Sequence, residues 1–286
     1  MKYDFVIVGG GSAGCTLASR LTEDPNVSVL LLEAGPDYTN FDQVPDDVKL
    51  GNNVWRSAYG DHSWGYLATA TPRQNEPIII PRGKTTGGSS SINGQVLFRG
   101  IPQDYDNWAE WGNNEWAFTN VLPYFKKLEN DLDFPGGDFH GNDGPIPVRR
   151  YKREDWLPYF RAFYDACVSV GYPTHPDHND PETSGVAARP MNNIDGVRMS
   201  TALTYLSMAR HRMNLTIKGD VLAHRILFEG TKAVGIEAES GGEVFKVAAE
   251  QVIIASGAIA SPQILMLSGI GPRNHLEEFG ITTILD

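Results

Sequence analysis

The 286-residue chain carries 24 Lys and Arg against 35 Asp and Glu, a formal net charge of −11. With 41% hydrophobic, 21% charged and 10% aromatic residues it has the composition of a globular protein, which excludes the disordered, collagenous and membrane-spanning classes. The acidic balance argues against nucleic acid as a partner. Cys15 and Cys167 are too few for a disulfide framework and lie in no zinc-type spacing, so both are expected as free, buried thiols. No apolar run reaches the length of a membrane span, and a strand follows directly on Lys2. No signal peptide and a cytoplasmic location are therefore expected.

Residues 3–33 read as a βαβ unit. Tyr3–Val8 is a β-branched and aromatic run, Gly9-Gly10-Gly11-Ser12-Ala13-Gly14 follows at once, and Cys15, Leu17, Ala18 and Leu21 then recur at helical spacing. Val27–Leu32 is nearly all apolar, as in a strand buried on both faces of a parallel sheet. Residues 36–80 are turn-rich and hold no long periodic element. The Gly/Ser-rich stretch 82–94 would pass for a linker, but Ile78–Ile80 and Val96–Phe98 flank it, which predicts a backbone running through the interior.

Helices are expected at 104–111, 119–129 and 155–170, the middle one with Thr119 as its N-cap, and a Pro/Gly/Asp loop at 134–147. Ser200–Ala209 reads as a short helix. From Leu215 the strand period returns as a meander at 221–228, 233–239 and 243–248. A separate buried strand is expected at 251–255, then a helix starting at Ser261-Pro262. The chain stops at Ile281–Asp286, read as mid-strand.

Gly9, Gly11 and Gly14 follow a strand and open a helix, and Glu33 closes the next strand, which is the full context of the dinucleotide fingerprint. Gly9 permits the tight turn, Gly11 lets backbone approach a pyrophosphate, and Gly14 allows helix and strand to pack closely. The helix N-terminus, at Ser12 and Ala13, offers free N–H groups to the anion. Glu33, followed by Ala34, would accept from ribose hydroxyls and repel a 2′-phosphate, which implies FAD or NAD.

Other motifs separate the two. Gly83-Lys84 with Gly87-Gly88-Ser89-Ser90-Ser91-Ile92-Asn93 resembles the first signature of the glucose-methanol-choline (GMC) oxidoreductases, which bind FAD. Gly257–Gly271, with Ser261-Pro262 and Ser268-Gly269, resembles their second signature. Asp104-Tyr105-Asp106, Leu122–Phe125, His140-Gly141, Gly144-Pro145 and Gly196-x-Arg198-x-Ser200 resemble the family in the same order along the chain.

The resemblance implies an α/β, Rossmann-like FAD-binding domain with an inserted α+β cap or substrate region. Its expected bounds are 1–100 with 215–286 for the first and 101–214 for the second. It further implies that Gly87, Ser89, Asn93, Gly94 and Val96 lie at the flavin, Val221 at adenine and Gly257 near the dinucleotide. Some family members attach FAD through a His just before the Asn of the first signature; Ile92 stands there, which implies non-covalent FAD. Thr86 and Leu97 depart from the commonest residues of that signature.

Oxidation of an alcohol by a flavin needs a base for the hydroxyl proton. None of the seven histidines matches the family's catalytic pair: His140 reads as structural, and His175 and His178 as solvated in a loop. No catalytic residue is therefore expected in this chain. The resemblance implies the FAD-binding portion of a longer or two-chain enzyme acting on a small-molecule alcohol, with the base on a second polypeptide or a missing C-terminal segment. The alternatives are an inert FAD-binding half and a flavin-dependent hydroxynitrile-lyase-like enzyme. No metal is expected.

Overall fold

The computed structural model describes residues 2–286, which divide into two compact units: one runs through Asn93 and resumes at Ser200–Asp286, the other is Gly94–Met199. The motifs placed the boundaries at 100/101 and 214/215. The second divides differently because Ala202–Leu206 pack on the first helix of the first unit.

The first unit begins with β1 (Lys2–Val8), α1 (Ser12–Leu21) and β2 (Val29–Leu32). In β1, Val6 and Val8 point to one face and Ile7 to the other, the period-2 alternation of a strand. Val6 and Val8 pack with Leu30 and Leu32, while Ile7 packs with Val29, Leu31 and the α1 residues Cys15 and Ala18. Each such buried aliphatic side chain contributes about 1.5–3 kcal/mol. Residues 36–80 contain α2 (Asp46–Lys49), α3 (Val54–Ala58) and a hairpin, β3 (Tyr66–Ala68) with β4 (Ile78–Ile80), which is more structure than their turn-rich sequence predicts.

The second unit contains α4 (Pro102–Glu110), α5 (Phe118–Leu128), β5 (Glu129–Asp131), β6 (Ile146–Val148), α6 (Pro158–Ser169), β7 (Asn193–Ile194) and β8 (Val197–Arg198). Pro102 opens α4, and Asp104 Oδ2 accepts from the Ile101 N–H at 3.0 Å. Helix α5 starts at Phe118 with Ala117 before it, so Thr119 is inside the helix and is not its cap.

In the returning first unit, Ala202–Leu206 is a π-helix continued by α7 (Ser207–Ala209), where an ordinary helix was expected. Then come β9 (Leu215–Lys218), β10 (Leu222–Glu229), β11 (Lys232–Ser240), β12 (Glu243–Ile254), α8 (Gly257–Leu267) and α9 (Arg273–Glu278). The expected strands at 243–248 and 251–255 are one strand. Its first half pairs antiparallel with β11 and its second half parallel with β1, so the side-chain pattern changes midway. Helix α8 begins at Gly257, not at Ser261, and holds Pro262 inside; that proline cannot donate to the Ala258 carbonyl. Residues 281–286 form no strand: their β-pairing is the isolated bridge between Ile270 and Leu285.

The six-stranded sheet has the order β10-β11-β12-β1-β2-β9, parallel from β12 to β9 and antiparallel through β10–β12. From β1 the chain leaves toward β2 on one side, while β12 flanks it on the other. The C-terminal ends of β1 and β12 are therefore the switch point where α/β sheets take ligands. Among the described residues no helix is long and apolar enough to cross a membrane.

Candidate functional site

At that switch point lies a cavity of about 710 Å³. It is lined by Val8, Gly9 and Gly11 from the glycine turn, Ser12 and Ala13 from α1, and Glu33 and Ala34 after β2. Ser89, Val221 and Gly257 complete the part of its wall that the sequence singled out.

The turn has the close contacts that exclude side chains. Gly9 has φ +102°, and a Cβ there would stand 2.6 Å from the Ala255 carbonyl oxygen. A Cβ on Gly14 would stand 1.9 Å from the Gly9 carbonyl oxygen and 3.4 Å from Leu31 Cδ1, so Gly14 serves the packing of α1 on β1 and β2 and faces away from the cavity. Gly11 differs, since a Cβ there would meet only Gly88 Cα, at 3.8 Å. The first intrahelical bond runs from the Cys15 N–H to the Gly11 carbonyl at 2.9 Å. The amides of Ser12 and Ala13 precede it and have no partner within the helix.

Glu33 is 5% exposed. Its Oε2 accepts from the Gly10 N–H at 2.8 Å and its Oε1 from the Gly35 N–H at 2.9 Å. The carboxyl thus ties the glycine turn to the turn after β2. Burial pushes its pKa up from 4.5 to about 7, against the lowering effect of those amides. Val221 is 4% exposed and lies just before β10, not within it; its N–H donates to the Glu33 carbonyl at 2.9 Å.

The Gly/Ser loop packs on the turn from above. The Gly87 N–H donates to the Gly10 carbonyl at 2.7 Å, and a Cβ on Gly88, at φ +52°, would stand 2.6 Å from Gly11 Cα. Thr85, Thr86, Gly87, Gly88 and Ser91 are buried, while the flanking Ile78 and Phe98 are exposed. The loop itself, more than its apolar flanks, runs inside. Ser89 is exposed on the cavity wall, with its Oγ accepting from the Gly83 N–H at 3.2 Å. Gly87 is buried behind it, Asn93 is the last residue of this unit, and Gly94 and Val96 belong to the other.

Trp64, Tyr66, Arg82 and His224 also line the cavity and carry no motif. The Trp64 and Tyr66 rings stack at 5.8 Å with 4° between planes, and Lys84 Nζ lies 4.9 Å from the Trp64 ring centre. Their spacing of two residues, which puts both on one side of an extended segment, was the available signal. His224 Nε2 pairs with Glu239 Oε2 at 3.0 Å.

The histidines that the sequence singled out and both cysteines lie away from this cavity. In the second unit His140 is buried, its Nδ1 3.0 Å from Glu129 Oε1 and 3.1 Å from Asp131 Oδ2, its Nε2 2.9 Å from Asp177 Oδ2. Burial alone would lower its pKa, but these carboxylates outweigh burial and raise it to about 10. Arg150 binds both oxygens of Asp131 at 2.9 Å and also Asp177, and Arg99 binds Glu129. Three carboxylates thus meet three cations. Glu129, Asp131 and His140 have metal-like spacing, but both imidazole nitrogens donate to carboxylates and neither keeps a lone pair for an ion. His175 and His178 are half-buried instead of solvated, with His178 Nε2 accepting from the Ala187 N–H at 3.2 Å. Cys15 is buried, and burial pushes its thiol up to about 12; Cys167 is only half-buried, contrary to expectation, on a cavity of α6.

Residues 3–283 match the family described as GMC oxidoreductase. A GMC-type oxidoreductase of Rhodococcus erythropolis is 41% identical over 99% of this chain and 56% of its own length. An oxygen-dependent choline dehydrogenase of Rhizobium etli is 42% identical over 100% of this chain and 51% of its own. Among solved structures, pyridoxine 4-oxidase from Mesorbium loti superposes with a TM-score of 0.92 at 34% identity, covering 99% of this chain and 55% of that one. An FAD-dependent oxidoreductase from Chaetomium thermophilum gives 0.88 at 31%, covering 99% and 50%. The chain spans about half the length of the curated relatives it matches.

Proposed function

Because this chain belongs to the GMC oxidoreductase family, whose cofactor is FAD, we propose that it is the FAD-holding portion of an enzyme that oxidises the CH–OH group of an alcohol. The observation that carries the reading is one cavity wall, at the switch point, assembled from the glycine turn, Glu33, Ser89, Val221 and Gly257. Its volume falls within the range of about 300–1,000 Å³ of cofactor pockets. Gly11 leaves open the space a side chain would fill.

When bound, FAD supplies hydride acceptance at N5. The amides of Ser12 and Ala13 would meet the pyrophosphate, with Gly9, Gly11 and Gly14 letting backbone and helix close on it. Glu33 and Ala34 would border the ribose and Val221 the adenine. Gly87, Ser89 and Asn93 would hold the flavin edge, and Gly257 would pass beside the dinucleotide. Ile92 offers no atom for covalent attachment, so the cofactor is non-covalent. His224 lines the cavity beside Val221, the end assigned to adenine, and is paired with Glu239; it is not placed to take a proton from the alcohol. We assign the base to a second polypeptide or a further C-terminal segment. Such a partner would cover the aromatic face of the second unit, where Phe163 is 68% and Tyr172 60% exposed.

The test combines this chain, loaded with FAD, with the C-terminal half of the Rhodococcus erythropolis relative. Anaerobic addition of a panel of primary and secondary alcohols is expected to bleach the flavin absorbance only in the combined sample. An oxidised flavin under every alcohol would mark an inert half, and turnover without bleaching would mark lyase chemistry.

A further inference from the structure

The π-helix at Ala202–Leu206 has no part in the fingerprint, yet its entry residue reaches the Gly/Ser loop. A π-turn costs helical regularity and is found disproportionately at functional sites. Here the Leu206 N–H bonds to the Thr201 carbonyl at 3.0 Å, five residues back, and this wider turn begins at Thr201, which is 6% exposed.

Hydroxyl arithmetic fixes the direction of the contact. Ser90 Oγ has one proton, which it donates to the Gly87 carbonyl at 2.6 Å. Toward Thr201 it can then only accept: the Thr201 N–H donates to it at 3.1 Å, and the Thr201 hydroxyl, also at 3.1 Å, must donate as well. Two donors on Thr201 thus saturate Ser90 Oγ and hold its proton on Gly87. The Gly87 carbonyl also accepts from the Ser90 N–H at 3.1 Å, closing the turn that carries Gly88 and Ser89. Ser200 Oγ and Ala202 Cβ would stand 3.3 and 3.2 Å from a Cβ on Gly87, so the π-turn also backs the loop sterically.

We propose that Thr201 is a positioning residue that acts through Ser90 to aim Gly88 and Ser89 at the cavity. The inference rests on the FAD reading for its ligand, while its structural half can be tested without one. Thr201→Val keeps the branched shape and removes the hydroxyl donor; Thr201→Ser keeps the donor. Thr204→Val is the control, because the Thr204 hydroxyl bonds only within the same turn, to the Ser200 carbonyl at 2.9 Å.

In the cofactor-free chain, Thr201→Val is expected to speed amide exchange at Gly88 and Ser90 about tenfold, with Thr201→Ser and Thr204→Val near wild type at those amides. In the loaded chain, Thr201→Val is expected to weaken FAD about tenfold and shift the visible bands of the bound flavin, and Thr201→Ser to restore both. Unchanged exchange in Thr201→Val, or equal losses in Thr204→Val, would overturn the inference. If wild type takes up no FAD, the FAD reading falls and the exchange experiment still decides the role of Thr201.

Discussion

Gly14→Ala and Gly11→Ala are expected to fail in opposite ways. In Gly14→Ala the added Cβ would stand 1.9 Å from the Gly9 carbonyl oxygen, a backbone atom. Gly9 cannot retreat, because its N–H bonds to the Leu32 carbonyl at 2.8 Å and the Ala255 carbonyl closes its other side. Helix α1 must therefore lift off the sheet, uncovering Ile7, Leu31 and Cys15. Overpacking of this kind costs about 1–3 kcal/mol, and the rigid contact places this case at about 3 kcal/mol or above. Urea unfolding should show that loss together with loss of FAD uptake. Gly11→Ala meets only an ordinary contact with Gly88, so its unfolding midpoint should stay at the wild-type value. Its methyl would occupy the space assigned to the pyrophosphate, and FAD affinity is expected to fall about a hundredfold, equivalent to about 2.7 kcal/mol. Equal FAD affinity in Gly11→Ala and wild type would remove the pyrophosphate from the turn.

Glu33 is expected to make both stability and FAD binding depend on pH, with opposite signs. Its folded pKa lies above the ordinary one, so the folded state holds the proton more tightly than the unfolded state. The resulting stabilisation is fully present below about 4.5 and is lost as pH rises to about 7. Its size is on the order of 3 kcal/mol. Ribose hydroxyls that donate to Glu33 favour the ionised form, so binding FAD releases the proton. The affinity for FAD should therefore rise up to tenfold per unit of pH toward about 7 and level off above it. In Glu33→Gln neither trend should survive. The amide turns an NH₂ toward the Gly10 or Gly35 N–H, and the buried mismatch costs about 1–3 kcal/mol at every pH. Flavin fluorescence titrations between pH 5.5 and 8.5 read the binding slope. A flat profile for wild type would contradict the ribose assignment.

How much of this could be read in advance depended on whether the determining contacts are local. Tyr3–Glu33 was legible because strand alternation, glycine placement and helix spacing act within a few residues of each other. Tyr66 opens a three-residue strand and Trp64 lies two residues before it, and the side chains of that hairpin are mostly half-exposed, leaving too short a pattern to see. The π-turn was read as an ordinary helix because its five-residue bonds leave the same apolar residues inside. The halves of β12 looked like two strands because the first half pairs with β11 along one edge and the second half with β1 along the other. The fixing of His140 depends on Glu129, Asp131 and Asp177, which come together only in the folded unit, so its buried ion cluster had no local trace. The place of Glu33 after β2 points to a ribose, while the clamping of Gly10 and Gly35 by its carboxyl arises only where the two turns meet in the fold.

The most direct measurement of the central claim is the flavin content of the purified chain after reconstitution with FAD and gel filtration, followed by acid precipitation. The account predicts one FAD per folded chain, with resolved visible bands before precipitation and all of the flavin in the supernatant afterwards. A folded chain that retains no FAD would contradict the claim that this cavity holds the cofactor. Flavin that stays with the precipitated polypeptide would contradict its non-covalent attachment.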